Sequence, residues 1–100
     1  MKSTEEMIQE KGLEAPRLNP QHIDDTVKKT EFFRLTDVLT VAVVTLQNGF
    51  TVTGESACAS PENYDKAIGE KIARENALEK IWLLEGYLLK QRLFEGFYND

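Results

Sequence analysis

The stretch Leu39-Thr40-Val41-Ala42-Val43-Val44-Thr45-Leu46-Gln47-Asn48-Gly49-Phe50-Thr51-Val52-Thr53-Gly54-Glu55-Ser56-Ala57-Cys58 decides the reading of this chain. Two runs rich in Val and Thr flank Asn48-Gly49, and Asn-Gly supplies the two positive φ values of a type I′ hairpin turn. A two-residue turn sets Gln47 opposite Phe50, and then Thr45 opposite Val52, Val43 opposite Gly54, Val41 opposite Ser56 and Leu39 opposite Cys58 on one expected core face. Gly54, at the middle of that face, leaves room for a helix backbone. The other face pairs Leu46 with Thr51, Val44 with Thr53 and Ala42 with Glu55, a half-polar mixture suited to solvent or a subunit contact. Glu31 to Leu35 is a candidate third strand, because two strands alone are marginally stable.

The hairpin runs straight into a long two-sided helix. Ser60 is the expected cap, Pro61 stands in the first turn, and Glu62 complements the helix dipole. At 100° per residue, Ala73, Ala77, Ile81, Leu84 and Leu88 share one sector, and Tyr64, Ile68, Leu78, Trp82 and Leu89 share another. The alanine-led stripe suits close packing around Gly54. The aromatic stripe must then meet the N-terminal helix or a second copy of the chain. Gly69 and Gly86 are expected to kink or end the helix. The tail from Tyr87 to Tyr98 is rich in Leu, Phe and Tyr, which is dense for a free terminus.

Toward the N-terminus, Ser3-Thr4-Glu5-Glu6 can cap a short helix through Gln9, which Gly12 and Pro16 stop. Asn19-Pro20 provides a second cap with proline at the first helical position, predicting a helix from Pro20 to Lys29 with His22, Ile23, Thr26 and Val27 inward. The expected organisation is a mobile segment over 1–18 and a single α+β domain over 19–100. That domain comprises a short N-terminal helix, an antiparallel hairpin extended to three strands, and a long C-terminal helical region packed on the sheet.

One hundred residues is room for one core. With 41% apolar and 29% charged residues, the composition is that of a soluble globular protein. No apolar run approaches the roughly 20 residues needed to span a bilayer, and no secretory signal is read at the start. A single cysteine, Cys58, fits a reducing cytoplasm. The net charge of −5 repels phosphate and favours basic partners.

A family resemblance emerges from several segments: Gly49 to Cys58, Asn63-Tyr64-Asp65, Ile68-Gly69, Glu75-Asn76-Ala77, and Ile81-Trp82-Leu83-Leu84-Glu85-Gly86-Tyr87-Leu88-Leu89. Together with Asn19-Pro20-Gln21-His22-Ile23-Asp24, they resemble the Gp49/66-like family of small tailed-phage proteins over about residues 19 to 90. The resemblance implies a phage or prophage accessory protein acting inside a bacterial host. It carries no mechanism with it.

The parts of a catalyst are sparse. Ser56 and Cys58 are the candidate nucleophiles and His22 the one imidazole, and a lone strand cysteine is ordinarily a small buried hydrophobe. His22 with Asp24 and Asp25 is a poor metal set, and those acids suit the helix N-terminus better. Glu70 and Arg74, four apart, read as a pair on a solvated face. The order of elements is superficially that of a double-stranded-RNA-binding domain, but Ser60-Pro61-Glu62-Asn63-Tyr64-Asp65-Lys66 lacks that domain's basic cluster, so nucleic acid is disfavoured.

The expected function is therefore a non-catalytic phage accessory protein that binds a host protein in the host cytoplasm, of inhibitor or anti-defence type, with no cofactor, metal or membrane involved. The alternative is an oligomer that sequesters a nucleotide-like ligand. In that reading Tyr64, Trp82 or Tyr87 stacks a base and Lys66, Lys71 or Arg74 holds phosphate across a subunit boundary. A homo-oligomer, a dimer first, is expected through Ile68, Leu78, Trp82, Leu89, Phe94 and Phe97.

Overall fold

The computed structural model describes residues 16–96. In chain order these form helix α1 (Pro20–Thr26), strands β1 (Val27–Arg34), β2 (Leu39–Leu46) and β3 (Thr51–Ala57), a 3-10 turn (Pro61–Asn63) and helix α2 (Lys66–Phe94). The strands make one antiparallel sheet in the order β1-β2-β3, and α2 packs across β3 and β2. The fold is thus α+β with the expected third strand. The helix anticipated near Ser3 to Gln9, most of the segment 1–18, and Phe97 lie outside the described residues.

Helix α1 starts as its sequence dictates. The Asn19 side chain accepts a hydrogen bond from the His22 N–H at 2.8 Å, and Pro20 occupies the first turn. It ends at Thr26 and not at Lys29, because Val27 turns extended (φ −79°, ψ 125°) and pairs with Leu46. β-Branched Val27 and Thr30 fit a strand better than a helix, and pairing with β2 gives their backbone a ladder. Of the expected inward residues Ile23 is buried, while His22 is exposed and Val27 belongs to β1.

The hairpin forms with a different turn from the one its dipeptide suggests. Leu46 N–H donates to the Phe50 carbonyl at 2.8 Å and Gly49 N–H to the Leu46 carbonyl at 2.9 Å, so three residues make the loop. Only Gly49 (φ 91°) takes a positive φ in this loop, which is the signature of a type I turn closed by a glycine bulge. The register moves by one residue: Val44 pairs with Val52, Ala42 with Gly54 and Thr40 with Ser56. A one-residue shift turns a strand over. Thr40, Ala42, Val44 and Leu46 are therefore buried, whereas Leu39, Val41, Val43 and Thr45 occupy the sheet's other face. On β3, Val52 and Gly54 face inward as anticipated.

Helix packing selects this register. β2 is apolar on both faces, so burial of β2 alone does not discriminate between them. A Cβ placed on Gly54 would lie 2.9 Å from the Ala77 Cα and closer still to the Ala73 carbonyl oxygen and the Ala77 nitrogen. The helix backbone thus rests on the sheet at Gly54, and only a low neighbour allows it. Ala42 beside Gly54 provides that floor, whereas Val43 in its place would hold the helix off. Ala73, Ala77 and Ile81 are fully buried, and Ile81 completes a cluster with Ile23, Val44, Leu46 and Val52.

Helix α2 begins later than Ser60-Pro61 suggests. Tyr64 is extended (ψ 129°) and separates the 3-10 turn from the helix, so it is not part of a helical stripe. Asp65 is the cap, its carboxylate accepting from the Ile68 N–H at 3.0 Å. Ser60 makes no capping bond and its hydroxyl donates to the Glu62 carboxylate instead. The helix runs unbroken through Gly69 and Gly86. Each glycine costs about 1 kcal/mol in a helix interior, but both lie under contacts: Gly69 above Thr40 and Gly86 beside Leu18. Tertiary packing outweighs local propensity here.

Candidate functional site

A helix of 29 residues is about 43 Å long at 1.5 Å per residue, whereas the eight residues of β2 span about 26 Å. About 17 Å of α2, roughly its last eleven residues, therefore exceeds the span of the sheet. One flank of the C-terminal part of α2 is covered from within the chain. Leu18 and Leu78 pack against the core, and His22 Nε2 meets Glu85 Oε2 at 3.2 Å. A cleft of about 290 Å³ lined by Pro16, Leu18, His22, Leu89 and Arg92 lies on the same side.

The opposite flank is open. Leu83, Tyr87, Lys90 and Phe94 fall within a sector of about 60° on an α-helix. Leu83 is 76% exposed, Tyr87 72% and Phe94 80%. Three large apolar side chains aligned and this exposed form a surface that marks an interaction site more often than chance exposure does. A second apolar surface is the outer sheet face, where Phe33, Val41 and Val43 lie together beside the Lys29–Glu31 ion pair (3.3 Å). No described element packs over it.

The residues nominated from sequence for ligand binding do not converge within one chain. Lys71 pairs with Glu75 at 3.0 Å, and Arg74 reaches across to Asp24 of α1 at 3.7 Å instead of pairing with Glu70. Asp24 and Asp25 thus lie beyond the first turn, which holds no acid, and Asp25 accepts from Gln21 at 2.8 Å. Lys66 opens α2 and is exposed. Tyr64 lies under the Arg34 guanidinium, 3.6 Å from ring centroid to Cζ. Trp82 is half-exposed and Tyr87 stands roughly 30 Å along the helix from Lys66.

The nominated interface residues divide in the same way. Leu78 packs inside the protomer and Leu89 is half-buried, while Ile68, Trp82 and Phe94 are exposed. Leu83 lies outside both apolar stripes read from the sequence, although its i, i+4, i+11 relation to Tyr87 and Phe94 is visible there. Its signal was masked by the two stripes on either side of it. Arg34 was also missed: it stacks on Tyr64 and donates to the Asp37 carbonyl at 2.7 Å, fastening the β1–β2 loop to the arch before α2.

Acid–base and nucleophilic groups are dispersed. The half-buried Cys58 thiol lies 3.8 Å from the Val38 carbonyl oxygen, whereas His22 stands by Leu46 and Gln47 at the other end of β2, on the order of 20 Å away. Among the described residues no three His, Cys, Asp or Glu side chains are grouped to hold a metal ion. The carboxyl of Glu62 is held below its ordinary range, first by the Ser60 hydroxyl and then by its own backbone N–H. No described helix is long and apolar enough to cross a membrane.

Residues 18–93 match the profile of a family described as Phage protein (N4 Gp49/phage Sf6 gene 66) family. No curated protein and no solved structure is significantly similar to the chain.

Proposed function

Because the chain belongs to that phage protein family, we propose that it acts in the cytoplasm of an infected bacterium as a non-catalytic accessory protein that binds a host protein, as an inhibitor or anti-defence factor. The observation that carries this reading is the exposed stripe Leu83, Tyr87 and Phe94 on a helix whose opposite flank meets Leu18 and His22. A helix presenting apolar anchors at such spacing fits an apolar groove on a partner. The net charge of −5 favours a groove with a basic rim. The wide separation of His22 from Cys58 supports binding over catalysis.

Other readings receive less support. The order α-β-β-β-α is that of a double-stranded-RNA-binding domain, but Glu62 and Asp65 flank the start of α2 where phosphates would be met. Sequestration of a nucleotide-like ligand needs basic groups that converge, and Lys71 and Arg74 already face Glu75 and Asp24.

The test is affinity capture from host lysate with the full chain and with Leu83→Glu/Tyr87→Glu, followed by direct binding of the purified pair. One stoichiometric host protein that binds the natural chain and not the variant, at unchanged circular dichroism, is the expected result. A partner retained by the variant overturns the assignment of the stripe. A released nucleotide without a protein partner favours sequestration. A dimer by light scattering that Leu83→Glu dissociates gives the stripe to a second copy.

A further inference from the structure

The sheet has two free edges, β1 and β3, and they are not alike. Leu35 N–H donates to the Leu39 carbonyl at 2.9 Å, and antiparallel bonding alternates from there. Phe33 and Glu31 therefore bond to β2, while Arg34, Phe32 and Thr30 direct their N–H and C=O groups away from it. The same alternation on β3, counted from the bond between Leu46 and Phe50, points Thr51, Thr53 and Glu55 outward. There the Asn76 side chain of α2 donates to the Glu55 carbonyl at 2.7 Å and obstructs the edge. β3 is thus guarded by its own helix, whereas β1 presents a row of outward backbone groups to another strand.

Lysines along an edge ordinarily deter a second strand. On β1, however, the charges alternate in sign, and Lys29-Thr30-Glu31 is self-complementary when two copies run antiparallel. Lys29 and Glu31 share the outer sheet face and meet at 3.3 Å within the chain. A two-fold axis at Thr30 sets Lys29 opposite Glu31 of the second copy and Glu31 opposite its Lys29, so the four charges close an alternating ring. Thr30 then faces Thr30 of the second copy, a favourable cross-strand pair, and the two exchange their outward N–H and C=O bonds. An axis at Glu31 opposes two carboxylates, and an axis at Phe32 sets Lys29 against Leu35, so charge selects a single register.

We propose that β1 pairs antiparallel with β1 of a second copy of this chain about an axis at Thr30, giving a continuous six-stranded sheet. The pairing uses none of the residues nominated from sequence for self-association, and it leaves the Leu83 stripe free for a host partner. Asn76 ends the assembly at two copies, because a second open edge would let it propagate.

Sedimentation of the full chain tests this, together with Lys29→Glu, Glu31→Lys and an equimolar mixture of the two variants. The natural chain is expected to dimerise reversibly. Each variant alone opposes like charges on both sides of the axis and is expected to self-associate about tenfold more weakly. Their mixture again sets opposite charges against each other and is expected to recover the natural affinity. Leu83→Glu is expected to dimerise as the natural chain does. Hydrogen exchange gives a reading that needs no substitution: the Thr30 amide gains protection as concentration rises, while the Glu31 amide, bonded to β2, is protected throughout. A monomer at the highest soluble concentration, a mixture that associates no more tightly than its components, a dimer lost in Leu83→Glu, or a Thr30 amide whose exchange is independent of concentration overturns the proposal.

Discussion

Gly54 of β3 faces Ala77 of α2 so closely that a single added carbon on Gly54 would stand 2.9 Å from the Ala77 Cα. The obstacle is backbone, which cannot rotate aside as a side chain does. Gly54→Ala is therefore expected to destabilise by at least the 1–3 kcal/mol typical of overpacking, that is by about 3 kcal/mol, and Gly54→Val to prevent folding. Urea unfolding followed by circular dichroism measures both; a Gly54→Ala midpoint equal to that of the natural chain would falsify the contact.

The cap of α2 separates two possible helix starts. Asp65→Ala removes the acceptor for the Ile68 N–H and is expected to cost about 1 kcal/mol. Ser60→Ala, at a position with no capping bond, is expected to change stability by less than about 0.5 kcal/mol. The reverse order in chemical denaturation would place the start at Ser60.

The hairpin turn makes an equally direct claim. Gly49 is the loop residue with positive φ, so Gly49→Ala is expected to cost about 1 kcal/mol or more. Asn48→Ala loses only the bond from the Phe50 N–H to the Asn48 side chain (2.9 Å), and is expected to cost less. Nuclear Overhauser contacts between Ala42 and Gly54 report the register in the natural chain; contacts between Val43 and Gly54 in their place would restore the two-residue turn.

Glu62 provides a pH test with a defined sign. Its folded carboxyl titrates below the unfolded value, so its contribution to stability is present above the ordinary glutamate range and fades as pH falls through the folded value. The group is exposed, so a small effect is expected. In Ser60→Ala the Glu62 titration, followed by carboxyl carbon shifts, is expected to move upward toward the ordinary range. An unchanged titration would show that the Ser60 hydroxyl is not the cause.

Two neighbours on α2 divide core from surface. Ile81 is fully buried, and Ile81→Ala is expected to cost about 2–5 kcal/mol. Leu83 is 76% exposed, and Leu83→Ala is expected to fall within about 0.5 kcal/mol while weakening partner capture. Comparable losses of thermal stability in the two variants would mean that Leu83 is covered in the protein as it exists.

Much of this was legible in the residues. Asn19-Pro20 announced α1, Gly54 announced the close approach of a helix, and Ala73, Ala77 and Ile81 announced the face that makes it. These signals are local, depending on a cap, a missing Cβ and a 100° period. The outward stripe was less legible, because Leu83 and Tyr87 stand among residues that are apolar on every side of α2. Periodicity picks out the alanine-led face but cannot single out one outward apolar stripe where apolar residues surround the helix.

The sequence by itself determined the order of elements, the existence of the hairpin and the alanine-on-glycine contact that joins helix to sheet. Tertiary structure decided the hairpin register, the start of α2 at Lys66 and its passage through Gly69 and Gly86. The reason is the same in each case. β2 is apolar on both faces, Ser60 and Asp65 are both competent caps, and glycine is only mildly unfavourable in a helix, so local preferences leave near-ties. Seating the α2 backbone against Gly54, on the low floor that Ala42 provides, breaks them.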